Sequence, residues 1–573
     1  MTEYVLSFKP ALPGFGRHDP SAAIFRDGQL VFGVEEERFT REKHAVSTFP
    51  EQAIRACLDY CGIDLPALAK IVLPYDPRLG TRMFRYQLRE SLAGDDPLPL
   101  RLREAERTVE KHVARRFFTR TITGQVVDRL AKIDSPVPPV ETQEHHKCHA
   151  ASAYYPSGQD RSVVVTVDGK GEYDSTAVWQ GTKNGVSRVR TWEVPNSLGF
   201  FFAVVTEYLG YHAYNGEGKV MGLAPYGKPN RDIESTLREH VTAGVDYDVT
   251  AITQYGIEPG VEKLEEMFDR PRNRTRGEFD QWEKDLAFAA QSFVEETVVG
   301  IVEHYVDKLG TGAVCLAGGV ALNCKMNKRV QESEAVEDLF IQPIAHDGGL
   351  ALGGGMLETT PTETPVMERV YWGPEYGRTD IEAVLEETKT DYTEPDNLER
   401  AVAERIADGE LVGWYQGRLE MGPRALGNRS ILADPRTTAS RDRVNEYVKH
   451  REGWRPFAPS MLEEAIDDYL VNATPSPFMI KTFEVEPEKQ DEIPAVLHPA
   501  DGTTRPQTVT ESQNERYYTL IKEFENVTGV PAVLNTSFND HAEPIVSTPR
   551  ETLKDFYGMG LDVLVLGDYL VGK

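Results

Sequence analysis

The sequence predicts an α/β protein built from more than one domain, on three observations. Apolar strand-like runs alternate with helical patterns, a strand–loop–hairpin unit near the N-terminus recurs about 145 residues later, and a linker rich in Thr, Pro and Glu sets off the last third of the chain. With 573 residues, each domain can bury a core of its own.

The first apolar run, EYVLSF, reads as a strand, and a Gly/Pro loop after it ends in His18-Asp19-Pro20-Ser21. AAIFRDGQLVFGVEEE then reads as a hairpin turning at Asp27-Gly28. PEQAIRACLDYCGI places Ala53, Ile54, Cys57, Leu58 and Cys61 at helical spacing. The charged stretch 82–132 favours helix and reads as an insertion with a solvated face. From Ser162 the first plan returns as a strand, a Gly/Asp loop, a second strand, an Asn184-Gly185 turn and a third strand, which suggests an internal duplication. EKDLAFAAQSFVEETVVGIVEHYVDKLG is a long helix, and LETTPTETPVME (Leu357 to Glu368) cannot build a core. The expected domains are therefore 1–360 and 361–573.

Net charge is −28, from 91 acidic and 63 basic residues, which disfavours general affinity for nucleic acid or anionic membrane. The N-terminus lacks a basic region followed by an apolar run, and no stretch of ~18 apolar residues occurs, so a cytoplasmic protein is expected. Such acidity suits solubility in high salt, a halophilic source, and equally an acidic mesophilic enzyme. Five cysteines without a CxxC pair read as buried thiols.

In HHKCHAASAYYPSG, His145 and His149 stand four apart and share one helix face, where two neutral imidazoles can bind one cation or simply pack. Asp168 ends the strand VVVTVD, and Asp347 lies in the loop after DLFIQPI. As strand-end carboxylates they would complete a set suited to Fe(II), Mn(II) or Zn(II), and as turn residues they would need no metal. AVCLAGGVALNCKMN is a strand running into Gly318-Gly319 and a helix, where a nucleotide can approach the backbone. NGEGKVMGLAPYG (Asn215 to Gly227) adds Gly-rich backbone that equally suits an ordinary loop. Beyond the linker the charge inverts: Arg418 to Arg455 holds nine Lys/Arg (418, 424, 429, 436, 441, 443, 449, 451, 455) against five Asp/Glu (420, 434, 442, 446, 452). Arg424, Arg429, Lys449, Arg451 and Arg455, interleaved with Gly, Pro and aromatics, suggest a phosphorylated small substrate, with intrachain ion pairs as the other reading. The run Asn535-Thr536-Ser537-Phe538-Asn539 supplies short hydroxyl and amide donors to such a pocket.

Taken together, HDPSAAIFRDGQLVFGVEEERFTREKH, HHKCHAASAYYPSG, GEGKVMGLAPYG, GGVALN, MGPRALGNRSILADPR, WRPFAP and NTSFNDHAEPIV resemble, in order, the carbamoyltransferases that include the tobramycin, cephamycin and nodulation-factor enzymes. The resemblance implies a duplicated actin-like ATPase fold followed by a threonylcarbamoyl-adenylate-synthase-like α/β domain. It implies that carbamoyl phosphate and ATP give carbamoyl adenylate, whose carbamoyl group passes to a hydroxyl of a small acceptor with AMP as leaving group. By the same resemblance His145, His149, Asp168 and Asp347 match metal ligands, with iron(II) the expected ion and Mg(II) accompanying ATP. His18 matches the general base; Lys170, Gly318, Gly319 and Asn323 match the ATP/adenylate site; and Arg424, Lys449, Arg455, Asn535 and Ser537 match the carbamoyl phosphate pocket. A threonylcarbamoyl-type tRNA-modifying enzyme and a non-catalytic nucleotide-binding module are the rival readings, the first opposed by the charge. The sequence is compatible with a homodimer and leaves the acceptor unnamed.

Overall fold

The computed structural model describes residues 2–12, 16, 18–77, 79, 102, 109, 123–275, 277–359 and 366–573. The stretch read as an insertion, 82–132, lies largely outside these residues, although 123–133 is helical. The chain divides into two compact units, one of Met1–Gly33, Ser47–Leu322 and Arg329–Val366, the other of Val34–Val46, Asn323–Lys328 and Met367–Lys573.

The first unit is built on two five-stranded sheets. Strands β1 (Tyr4–Lys9), β2 (Ser21–Arg26), β3 (Gln29–Glu35), β4 (Lys70–Leu73) and β5 (Val140–Thr142) lie in the order 3-2-1-4-5. Strands β6 (Arg161–Val167), β7 (Asp174–Thr182), β8 (Gly185–Glu193), β9 (Ala313–Ala317) and β10 (Asp338–Ile341) repeat it as 8-7-6-9-10. In each sheet the first strand pairs antiparallel with the second and parallel with the fourth, and the fourth pairs parallel with the fifth. Shared turn chemistry alone would reproduce a hairpin but not this order, so the duplication is real and the fold is the expected actin-like one. The first hairpin turns where Asp27 (φ 51°) and Gly28 (φ 83°) both take the left-handed backbone that a two-residue turn requires.

Two helices join the halves. The His145–Tyr154 helix is buried along nearly its whole length, with Ala150, Ala153 and Tyr154 packed on Val164, Ala177, Trp179, Cys315 and Ala317 of the second sheet. Against it runs the Leu350–Thr359 helix, whose glycines set the contact distances. A Cβ on Gly353 would lie 1.8 Å from the Cys148 carbonyl oxygen, and one on Gly355 would lie 2.0 Å from the Phe25 ring on β2. Substitution at either would drive the helix out of the core. Asn215–Gly227, read as Gly-rich loop backbone, instead contains a helix over Glu217–Leu223. Glu217, in its first turn, accepts the Tyr214 amide and secures the entry to that helix.

The second unit carries a seven-stranded mixed sheet. Strands β11 (Val412–Tyr415), β12 (Arg429–Ala433), β13 (Ala458–Leu462), β16 (Gln507–Val509), β17 (Ala532–Ser537), β18 (Val563–Leu566) and β19 (Tyr569–Gly572) lie in the order 16-13-17-12-11-18-19, and β14 (Phe483–Glu484) and β15 (Thr503–Thr504) form a separate pair. Its central strands are buried on both faces, including Trp414, Ile431, Leu432, Val533 and Leu534. Asn397, Asn514 and Thr548 cap the flanking helices by accepting backbone amides. Cys57, Cys148, Cys315 and Cys324 are buried thiols as expected, whereas Cys61 is partly exposed, because it ends its helix on the rim of the apolar face.

Candidate active site

His145 and His149 occupy the first two turns of their helix, and Asp168 and Asp347 lie just beyond β6 and β10, so both sheet and helix ends converge on one point. His145 Nε2 is 3.1 Å from Asp168 Oδ2 and 3.6 Å from Asp347 Oδ1; His149 Nε2 is 3.5 and 3.8 Å from the same atoms. One donor atom from each of the four residues falls within 4.8 Å of all the others. His149 is fully buried, yet neither ring nitrogen makes a hydrogen bond. A buried imidazole whose nearest polar neighbours are carboxylates 3.5 and 3.8 Å away is poorly satisfied unless its lone pair has another use, and two imidazoles with two carboxylates form a donor set that fits a divalent cation. Burial opposes the charge on Asp168, but the imidazoles of His145 and His149 outweigh it and hold the carboxyl well below its usual range. The carboxyl of Asp347 is likewise held down against burial, by Lys9 and the same imidazoles.

His146 shows the contrast. Its Nδ1 bonds Thr166 Oγ1 and its Nε2 bonds the Asp174 carbonyl, each at 2.9 Å, and burial among other imidazoles pushes its pKa down to about 3. It is a neutral core histidine with both nitrogens occupied. The amide of His145 is received by Glu172, a carboxylate from the β6–β7 loop that also accepts the Asp76 amide at 2.7 Å. The helix is thus capped from a distance, because its own N-cap residue, Glu144, makes no cap bond.

His18 Nδ1 pairs with Asp19 Oδ2 at 2.8 Å, which assigns the lone pair to Nε2. Burial lowers the His18 pKa and the Asp19 bond raises it, the net direction being up. Lys9, buried on β1, ties this loop to the quartet: Nζ donates to the His18 carbonyl and lies 3.0 Å from Asp347 Oδ2. Gly318 takes φ +87°, and a Cβ there would lie 2.3 Å from the Val167 carbonyl oxygen, so its glycine is required by the chain itself. The Gly319 amide donates to Asp168 Oδ1 at 3.2 Å. Lys170 is exposed on the β6–β7 loop, and Asn323 caps the Cys324–Gln331 helix by accepting the Met326 amide.

The second unit gathers the basic residues. Burial, together with Arg505 and Arg455, pushes the Arg424 pKa down to about 9. Burial, with Arg451, Lys43 and Arg455 nearby, drives Lys449 well below the usual lysine range. Lys449 is buried and Arg424, Arg451 and Arg455 are half-buried, so like charges are held close together here. Lys449 ends a single π-helical turn, Asn445–Lys449, and its Nζ donates to the Ser537 carbonyl at 2.6 Å and to Asn539 Oδ1 at 3.0 Å. The Asn535 amide donates to the Ala425 carbonyl, Ser460 Oγ and Gln507 Oε1, so it braces the Arg424 loop from below. Arg429, expected with the phosphate-binding group, is instead structural. It is fully buried, donates to the carbonyls of Gln416, Asn428 and Gly417, and stacks 3.6 Å from the Tyr415 ring centroid.

Residues 14–356 match the family described as "Carbamoyltransferase N-terminus", and 403–573 match "Carbamoyltransferase C-terminus". The chain belongs to the carbamoyltransferase family. This carbamoyltransferase is 36% identical to nodulation protein NolNO of Sinorhizobium fredii over 98% of its own length and 80% of the relative's. It is 37% identical to nodulation protein NolO of Bradyrhizobium diazoefficiens, over 75% and 78% respectively. An uncharacterized protein of Synechocystis is 35% identical over 97% and 95%. Among solved structures, component A of the Acidaminococcus fermentans (R)-2-hydroxyglutaryl-CoA dehydratase covers 63% of the carbamoyltransferase and 100% of itself, at TM-score 0.34 and 13% identity. Among the described residues no helix is long and apolar enough to cross a membrane.

Several residues of the candidate site were not legible in sequence. Lys9 and Glu172 carry no motif; each is a charged residue beside an apolar run. Lys43 and Arg505 lie far from the Arg418–Arg455 segment and join its cations only in the folded chain. Glu420 is fully buried, and one of its oxygens accepts the amides of Leu426, Asn428 and Arg429 at 2.9, 2.8 and 3.1 Å. It shapes the loop that presents Arg424. A carboxylate within a Gly/Pro/Arg segment was the available signal.

Proposed function

We propose that the protein is an ATP-dependent O-carbamoyltransferase with two chemical steps, one per unit. In the second unit, Arg424, Lys449, Arg455 and Ser537 bind carbamoyl phosphate. Water releases its phosphate, and the carbamate oxygen displaces pyrophosphate from the α-phosphorus of ATP to give carbamoyl adenylate. In the first unit the acceptor hydroxyl attacks the carbamoyl carbon, the bond to the adenylate oxygen breaks, and AMP leaves. Lys170, Gly318, Gly319 and Asn323 are assigned to the nucleotide.

His18 takes the hydroxyl proton at Nε2, because Nδ1 is committed to Asp19, and the resulting imidazolium is stabilised by that carboxylate. Lys9 fixes the His18 loop against Asp347. His145, His149, Asp168 and Asp347 hold a divalent cation, iron(II) by family resemblance with Mn(II) or Zn(II) as alternatives, which when bound supplies Lewis-acid charge for the adenylate phosphate. The acceptor is a small hydroxylated molecule.

The observation that supports this reading most is the pairing, in one chain, of a His/Asp quartet with a separate cluster of cations gathered around the buried Lys449. The test is pyrophosphate release from ATP with and without carbamoyl phosphate, in high and low salt, with mass spectrometry for carbamoyl adenylate. Release that depends on carbamoyl phosphate and disappears in Arg455→Ala is expected. Release indifferent to carbamoyl phosphate, or none at any salt from folded protein, overturns the proposal.

A further inference from the structure

The duplication in the first unit places unlike residues at one pair of equivalent positions. The parallel register of β1 on β4 ends at Ser7, and that of β6 on β9 ends at Thr166. Ser7 Oγ lies 2.7 Å from the Cβ position of Gly354, on the helix that follows β10, and Thr166 Oγ1 lies 2.9 Å from His146 Nδ1, on the helix that follows β5. Each therefore faces the helix contributed by the other half. Two residues on, and so on the same face of the chain, stand Lys9 and Asp168. Where the second half gives the quartet a carboxylate, the first half gives it an ammonium.

That ammonium is fixed in place. Lys9 is 4% exposed, its Nζ donates to the His18 carbonyl and lies 3.0 Å from Asp347 Oδ2, and the Cβ position of Gly16 is 3.5 Å from its Cε. A lysine usually carries its charge out to water on a flexible stem, whereas here strand, loop and carboxylate hold it inside. Because Oδ2 of Asp347 is engaged, the oxygen that faces the imidazoles is Oδ1, 3.6 Å from His145 Nε2 and 3.8 Å from His149 Nε2. Asp347 thus has one oxygen for a cation rather than two.

We propose that Lys9 selects the charge of the cation the quartet accepts, admitting divalent ions and turning trivalent ones away. The inference rests on the cation-binding reading of the quartet given above. Two neutral imidazoles and two carboxylates carry two negative charges, which a divalent ion balances. Lys9 adds a positive charge, so the filled site holds one net positive charge with a divalent ion and two with a trivalent ion. Repulsion from a fixed charge grows in proportion to the charge of the ion that meets it, and salt screens it little in a buried site. The contact to Oδ2 sharpens the discrimination, because it denies a hard, highly charged ion the second carboxylate oxygen.

The test measures binding on the full-length protein, by equilibrium dialysis with plasma mass spectrometry, using Zn(II) and Ga(III), each buffered with nitrilotriacetate. Neither ion changes oxidation state. Lys9→Met removes the charge and its contacts; Lys9→Gln removes the charge but keeps an N–H donor toward Asp347. The parent should bind Zn(II) and discriminate against Ga(III). Both variants should bind Zn(II) at least about tenfold more tightly, and their gain for Ga(III) should be the three-halves power of that, at least about thirtyfold. A lysine that only braces Asp347 has the opposite sign: both ions bind more weakly in Lys9→Met and recover in Lys9→Gln, and that result overturns the proposal. So does an equal gain for the two ions, or a parent that binds Ga(III) as tightly as Zn(II), which is measured without any variant. The two readings fail differently. A parent that binds neither ion overturns the quartet as a cation site and the role of Lys9 with it, whereas a parent that binds Zn(II) and variants that match it overturn the role of Lys9 alone.

Discussion

Replacing His149 by Ala separates a metal ligand from a packing histidine. The ring is fully buried and neither nitrogen is hydrogen-bonded. Without a cation, its removal forfeits packing, about 2–3 kcal/mol for a side chain of this size, together with its ion pairs to Asp168 and Asp347. With a cation at a hundredfold excess over its Kd, the folded protein gains about 2.7 kcal/mol from binding. In a unit of several hundred residues, whose unfolding entropy is about 2 cal/mol/K per residue, that gain raises the melting temperature by about 4 °C. The assay is thermal unfolding with Fe(II) under anaerobic conditions, Mn(II) or Zn(II), against the same protein in chelator, with metal content measured by plasma mass spectrometry. The parent should show the shift, and His149→Ala should show neither the shift nor bound metal. His146→Gln is the control. It should be destabilised, because Thr166 and the Asp174 carbonyl lose a partner, yet still respond to the cation. Unchanged metal content in His149→Ala, or equal loss of the response in His146→Gln, refutes the assignment.

Three further outcomes are expected. Asp19 raises the pKa of His18 by stabilising its protonated form, and a base works deprotonated, so the rate of transfer should climb with pH through a value above the ordinary histidine pKa. Asp19→Asn removes that stabilisation and should move the rising limb of the pH–rate profile to lower pH; an unmoved limb assigns the titration to another group. Glu420→Ala leaves three buried amides without their charged acceptor and should destabilise the second unit by about 1–3 kcal/mol for each amide left unsatisfied, seen as a lower urea midpoint together with a raised KM for carbamoyl phosphate. Glu420→Gln should recover part of both, and a parent-like midpoint in the Ala variant would remove the loop-shaping role. Gly353→Ala drives a methyl into the Cys148 carbonyl and should lower both melting temperature and metal content, whereas Gly124→Ala, where a Cβ meets nothing within 4 Å, should be neutral or slightly stabilising.

The sequence by itself determined the local elements and their repetition. Continuous apolar runs, the Asp27-Gly28 and Asn184-Gly185 turns and the helical spacing of Ala53, Ile54, Cys57 and Leu58 are properties of near neighbours, so they are written in adjacent residues. His145 and His149 were legible for the same reason: one helical turn alone places them on one face. What only the tertiary structure decided was which of the flagged groups meet, and which already have partners. Asp168 and Asp347 stand 179 positions apart (347 minus 168) and converge because the sheet places β6 beside β9 and β9 beside β10. His146 and His149 are equivalent in a sequence pattern, yet the fold satisfies one and leaves the other open. Arg429 reads like Arg424 in MGPRALGNRS, but the fold turns its guanidinium onto backbone carbonyls and Tyr415. Spacing fixes which face of an element a side chain occupies; whether its hydrogen-bonding groups are then satisfied depends on backbone carbonyls and side chains brought in from distant positions, and that only the folded chain supplies.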